Sequence, residues 1–250
     1  MKVVVVGASG TMGSKIVGAL KRNGIDVVEA SGRTGANALT GEGLDAAFSG
    51  ADTVIDVTNS GAFGTGDSLA FFKQAGQHLL AAAKSAGVRH YLALTVVGSD
   101  RLVENDYFRA KLVQENLIRS SGIPYTIIRS TQFFEFLAGI IDTSAVDGAL
   151  KLPQLRLQPI AADEAANWIA KFCAKKATDS IVELGGPVST LLTDLARELL
   201  TATEDNRPVV TSPDALYFGV ATTLEALIPH QIAAAGRLTY HDWLSRTIYE

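Results

Sequence analysis

The chain has 250 residues, 47% of them hydrophobic and 19% charged, with a formal net charge of -4. Those proportions describe a globular chain and exclude a disordered one. No lysine- and arginine-rich run offers the footprint nucleic acid needs, and no apolar stretch approaches the ~20 residues of a membrane helix, so neither nucleic acid nor a membrane is expected as a partner.

Val3-Val4-Val5-Val6 follows Met1-Lys2 and stops at Gly7, which predicts a first strand over residues 2–6. Four apolar residues are too few for a signal peptide, and the expectation is a cytoplasmic protein. One cysteine, Cys173, makes no internal disulfide and fits a reducing compartment. Beside Ile169, Phe172 and Ala177 it reads as a small buried hydrophobe.

Met12, Ile16, Val17 and Leu20 recur at helical spacing, and Gly24 stops that helix. A strand over 25–30 follows, then a glycine-rich passage with a short strand expected near Ala38-Leu39. Next come strand 53–57, helix 67–86 closed by Gly87, strand 90–94, helix 105–121 closed by Gly122, and strand 125–129 after Pro124. Apolar strands alternating with helices mean a parallel sheet covered on both faces, a doubly wound Rossmann-type α/β fold. Further on, strand 156–161 and helix 163–176 are expected to extend the sheet, followed by strand 180–184, helix 190–202, a helical stretch near 213–228 broken at Pro229, and a last segment with Trp243. The expected division is a Rossmann domain over 1–130 and a small C-terminal substrate lobe over 131–250, of which 156–184 returns to the sheet.

Ligands of such sheets lie beyond the carboxyl ends of the strands. After the first strand stands Gly7-Ala8-Ser9-Gly10-Thr11-Met12-Gly13, a G-x-x-G-x-x-G loop that opens a helix. Glycines permit the turn and the close approach of backbone to pyrophosphate, and the helix N-terminus offers free N–H groups. This predicts a bound dinucleotide. After the second strand, Ser31 and Arg33 suit a 2′-phosphate, Arg33 through a charge-assisted bond of roughly 1.5–3 kcal/mol. NADP(H) is therefore expected over NAD, with Glu29 the alternative acid for NAD.

Tyr107 and Lys111 are four residues apart and share a helix face, with Asn105 or Asp106 as the cap and Ala110, Val113 and Leu117 as the stripe toward the sheet. An ammonium and an oxidised nicotinamide nearby would lower the phenol's pKa, and Tyr107 could then exchange a proton with a carbonyl oxygen. Lys111 is also a candidate for the nicotinamide ribose, and Thr95 for the substrate oxygen. Phe133, Phe134 and Phe136 either line an apolar pocket or form core. Asp56, at a strand end, is read as orienting a loop. His78, His90, His230 and His241 have no metal-ligand spacing, and no metal is expected. The loops around 60–66, 98–104 and 131–155 carry no diagnostic chemistry.

These motifs resemble the short-chain dehydrogenase/reductase superfamily, specifically its atypical NmrA-like branch. The likeness rests on Gly7–Gly13, Ser31-Gly32-Arg33, Asp56-Val57-Thr58-Asn59, Leu94-Thr95-Val96-Val97-Gly98 and Tyr107-Phe108-Arg109-Ala110-Lys111. Thr126-Ile127-Ile128-Arg129, Gln132-Phe133-Phe134-Glu135 and Gln158-Pro159-Ile160-Ala161 extend it along the chain. The resemblance implies cofactor contacts from the loop, Arg33, Thr58, Asn59 and Lys111, with Thr131 to Phe133 bordering the nicotinamide. It implies reduction of a quinone or other small carbonyl compound, or else a cofactor-sensing regulator that acts through a protein partner. The tyrosine and lysine favour the enzyme; threonine stands at Thr95 where members often carry serine. An epimerase using bound cofactor is a third reading, which the short C-terminal part counts against.

Overall fold

The computed structural model describes residues 1–61 and 68–249. The expected start of a helix at residue 67 lies outside them, as does the expected pocket loop from residue 62 on. The valine run forms β1 (Lys2–Val6), in which Val3 and Val5 face one layer of helices and Val4 and Val6 the other. Each fully buried valine contributes about 1.5–3 kcal/mol relative to an exposed one, so the strand is held at the centre of the sheet. The chain continues through α1 (Thr11–Arg22), β2 (Asp26–Ala30), α2 (Leu44–Phe48), β3 (Thr53–Asp56), α3 (Ser68–Ser85), β4 (His90–Val96), α4 (Asp106–Ser120) and β5 (Tyr125–Ser130).

Beyond β5 come α5 (Phe134–Asp142), β6 (Ala145–Val146), β7 (Ala149–Leu152), β8 (Arg156–Leu157), α6 (Ala162–Cys173) and β9 (Ser180–Gly185). The last elements are β10 (Thr190–Leu191), α7 (Leu192–Ala202), β11 (Val209–Thr211), β12 (Ile232–Ala235) and α8 (Tyr240–Tyr249). Seven strands form one parallel sheet in the order β12-β9-β5-β4-β3-β1-β2. α1 and α6 cover one face; α2, α3 and α4 cover the other. This is the expected doubly wound Rossmann-type architecture. A further apolar cluster joins α5, β7, α7 and the tail to the starts of α3 and α4.

Three expected elements differ. Ala38-Leu39 is not a strand: the Asn37 side chain accepts the amides of Leu39 (2.9 Å) and Thr40 (3.3 Å) and closes a turn. Of the strand expected over 156–161, Arg156–Leu157 pairs antiparallel with β10, apart from the main sheet, and Ile160 makes an isolated bridge to Phe133. Residues 213–228 form turns instead of a helix. Phe218 and Gly219 both take positive φ, and Tyr217 and Val220 exchange backbone hydrogen bonds across them, the geometry of a two-residue hairpin turn.

Candidate functional site

The sheet order reverses at β1, whose neighbours are β2 and β3, so a crevice opens beyond the ends of β1 and β3. Gly7 leaves β1 with φ +86°, and a Cβ there would lie 3.0 Å from Val57 O, so only glycine lets the loop pass this close to the strand-end segment. Gly13 is tighter still: a Cβ would stand 2.1 Å from Gly7 O. The Gly7 amide donates to Ala30 O at 2.9 Å, tying the loop to the end of β2. Gly10 caps α1 without a side-chain bond, and the first turn carries no acidic residue. The helix therefore presents free N–H groups and its positive end, as a pyrophosphate requires. Ser9 is exposed on the loop.

Ser31 and Arg33 follow β2, and neither lines the cavity described below. Ser31 is buried and caps a single 3-10 turn closed by Thr34 Oγ1, which accepts the Ser31 amide at 2.9 Å and donates to Glu29 O at 2.8 Å. Arg33 is exposed on that turn. Glu29, the alternative acid, lies within β2 and pairs with Lys21 at 2.7 Å.

A cavity of about 450 Å³ opens beyond the strand ends. It gathers Gly10, Thr11, Met12, Gly13, Thr58, Asn59, Thr95, Tyr107, Lys111, Thr131 and Phe133, all singled out from the sequence. Phe136 lines it too, whereas Phe134 is core, packed against Tyr240 and Trp243. Gln132, within the expected Thr131-to-Phe133 border, lines it as well, whereas sequence reasoning missed Ile140 and Tyr217 on its walls. Tyr217 follows Tyr107 by more than a hundred residues, and no local pattern links the two.

Asn105 caps α4, accepting the amides of Tyr107 (3.0 Å) and Phe108 (3.2 Å). The cap sets Tyr107 and Lys111 on the buried face. Lys111 Nζ donates to Thr58 O (3.3 Å), Leu94 O (3.4 Å) and Gln114 Oε1 (3.2 Å), and lies 4.2 Å from the Phe72 ring centroid. Burial lowers its pKa to about 8, against the pull of the Asp56 and Glu115 carboxylates. The ammonium is 6.0 Å from the centre of the Tyr107 ring. The expected lowering of the Tyr107 pKa is not what the protein alone produces: burial pushes that phenol up. Thr95 also differs from expectation, because its hydroxyl donates to Glu115 Oε1 at 2.7 Å. It presents lone pairs to the cavity and cannot at the same time donate to a substrate oxygen.

Two buried networks hold this arrangement. Asp56 Oδ1 accepts Thr58 N (3.0 Å) and Oγ1 (2.7 Å), orienting the 57–59 loop, while Oδ2 accepts Tyr91 Oη (3.0 Å) and Gln114 Nε2 (2.9 Å). Glu115 takes a two-pronged ion pair from Arg129, Nε at 2.9 Å and Nη2 at 2.7 Å, and Arg129 Nη1 reaches Asp100 at 2.9 Å. The sheet-facing stripe of α4 is thus Tyr107, Lys111, Gln114, Glu115 and Ile118, while Val113 and Leu117 are only half-buried. Helical spacing from Lys111 to Glu115, and a charge closing the apolar β5, were the available signals.

Cys173 is buried and its thiol is pushed up to about 12 by burial. His90 is buried with Nε2 2.9 Å from Thr126 Oγ1. Among the described residues no group of histidine, cysteine or carboxylates is placed to hold a metal, and no helix is long and apolar enough to cross a membrane.

The reversed sheet order, the glycine turn and the uncapped helix define a dinucleotide-binding protein with the fold of the short-chain dehydrogenase/reductase superfamily. The sequence model of the NAD(P)H-binding family matches residues 7–139, and the chain belongs to that family, in agreement with the NmrA-like resemblance. Among solved structures, a short-chain dehydrogenase/reductase superfamily protein from Agrobacterium tumefaciens with bound NAD aligns with TM-score 0.75 at 17% identity, covering 100% of this chain and 96% of that one. A nucleoside-diphosphate-sugar epimerase from Staphylococcus aureus aligns with TM-score 0.69 at 16% identity, covering 98% and 99%. At these identities the likeness is one of fold. Among curated proteins, photosystem II assembly factor Ycf39 of Cyanophora paradoxa is 26% identical over 153 residues, 56% of this chain. The match spans 48% of that relative's length.

Proposed function

We propose that this protein is a cytoplasmic NADP(H)-dependent oxidoreductase that reduces a small carbonyl or quinone-like compound. The observation that carries this reading is that a phosphate-type loop, a buried lysine and a buried phenol border one cavity of about 450 Å³. In this reading Gly7 to Gly13 and the start of α1 hold the pyrophosphate, and Ser31 and Arg33 the 2′-phosphate. Thr58, Asn59, Lys111, Thr131 and Phe133 border the ribose and nicotinamide. Residues 131–250 act as the substrate part, supplying Phe136, Ile140 and Tyr217.

Bound there, the reduced nicotinamide supplies an electron pair as hydride to the carbonyl carbon. Tyr107 keeps its proton until the carbonyl oxygen gains negative charge and then passes it to that oxygen, so that C=O becomes CH–OH. Burial holds the phenol protonated, the form from which it donates. The Lys111 ammonium lowers the cost of the transient phenolate, which regains its proton from solvent. Thr95, turned toward Glu115, positions the ligand as an acceptor.

The test is NADPH oxidation across quinones, aldehydes and ketones, with Tyr107→Phe alongside. A loss of about 10²–10⁴-fold in the variant, with NADPH still bound, is expected. Turnover surviving the change removes Tyr107 from the chemistry. NADPH binding without turnover supports a second reading, a cofactor-sensing protein acting through a protein partner. The likeness to an assembly factor favours that one.

A further inference from the structure

Two buried oxygens on the cavity wall have no hydrogen-bond partner among the described residues, Thr131 Oγ1 and Gln132 Oε1. Gln132 is 8% exposed. Its backbone is fixed: its carbonyl accepts Ile160 N at 2.9 Å, and the next residue, Phe133, bridges to Ile160. The side chain lies beside the Tyr217 phenol on the cavity wall. The surrounding walls are apolar and largely aromatic: Val96, Phe108, Phe133, Phe136 and Ile140, with Phe133 and Phe136 edge to face at 5.9 Å.

Such walls favour a flat ring. Gln132 Oε1 is closed to water and unpaired, and a buried acceptor left unpaired is costly. A ring carrying its own O–H or N–H supplies the bond. We infer that the substrate end of this cavity selects a small flat ring bearing a hydrogen-bond donor, which the side-chain oxygen of Gln132 accepts. Calling that ligand a substrate rests on the reductase reading. The selectivity itself rests on the orphaned oxygen and the aromatic walls. Gln132 is then a specificity-determining residue and takes no part in proton transfer.

The test uses two matched probes on the full chain saturated with NADP⁺: 2-naphthol, and 2-methoxynaphthalene, which keeps the ring and an oxygen but has no donor. Their affinities are measured by calorimetry. The wild type is expected to prefer 2-naphthol by about tenfold or more. Gln132→Leu is expected to lose the preference by weakening 2-naphthol alone. Gln132→Asn, which keeps an amide but withdraws it by one methylene, is expected to lose it too, so the result stands if the leucine variant does not fold. Equal binding by the wild type overturns the inference. So does a preference that survives in a folded variant, or a failure of both probes to bind. The reductase reading fails separately: a donor preference without NADPH turnover on the carbonyl panel removes that reading and leaves the selectivity, whereas turnover without preference does the reverse.

Discussion

At Lys111, burial and charge pull in opposite directions. The ammonium makes three hydrogen bonds and faces the Phe72 ring, yet its pKa falls from 10.5 to about 8 because burial outweighs the nearby carboxylates. A lysine with a depressed folded pKa costs stability below that value, because the unfolded chain binds the proton more tightly. The cost is relieved as pH rises from about 8 toward 10.5. Lys111→Met removes this dependence. Relative to the variant, the wild type should gain about 2 kcal/mol between pH 7 and pH 9.5. Denaturant unfolding of both proteins at the two pH values reads the difference directly; a constant gap would mean that Lys111 titrates normally. The Glu115–Arg129 pair contributes differently. Two charges taken out of water gain little net energy, but removing one partner leaves the other uncompensated. Its place is to bind α4 to β5 and to fix which way Thr95 donates.

Among the elements, α1 shows how one helix carries both a packing and a binding demand. Its start is uncapped and meets the glycine loop at main-chain distance, whereas its middle packs on α6. Gly13→Ala would press a methyl onto Gly7 O and Ala8 Cα. It is expected to cost about 1–3 kcal/mol of stability and to abolish NADPH binding in a fluorescence titration. Gly18→Ala is the control. Its methyl would meet only the end of Arg22 at 3.4 Å, so it should bind NADPH as the wild type does and gain up to about 1 kcal/mol from helix propensity. If Gly13→Ala binds NADPH normally, the loop is not the phosphate site. In α4 the sequence pattern misleads, because the sheet-facing stripe is polar and charged. Val113 and Leu117 look like that stripe in a linear reading, yet Leu117 turns instead toward α3, where Gly76 leaves it room.

Across the whole molecule, the parallel sheet carries the ends of β1, β3, β4 and β5 to one rim, and the C-terminal part closes the cavity over it. A ligand that binds only the folded chain stabilises all of it together, by about 2.7 kcal/mol at a concentration one hundredfold above its dissociation constant. At equal concentrations NADPH should therefore raise the melting temperature more than NADH does, and Arg33→Ala should erase the difference. Equal shifts in the wild type would remove the 2′-phosphate role from Arg33. Arg33 stands outside the cavity, on an ordered turn after β2, so the variant tests cofactor choice without disturbing Tyr107 or Lys111.

The sequence by itself determined the layered fold and the glycine loop, because valine runs, helical spacing and glycine stops act over a few residues. It also placed Tyr107 with Lys111, since four residues make one helical turn. Only the tertiary structure decided that Tyr217 shares the cavity with them, that Thr95 donates to Glu115, and that burial raises the phenol. Each of these depends on groups brought together from distant parts of the chain and on the water their meeting excludes. Hydrogen-bond direction and proton affinity follow from that meeting, and no short stretch of sequence encodes them.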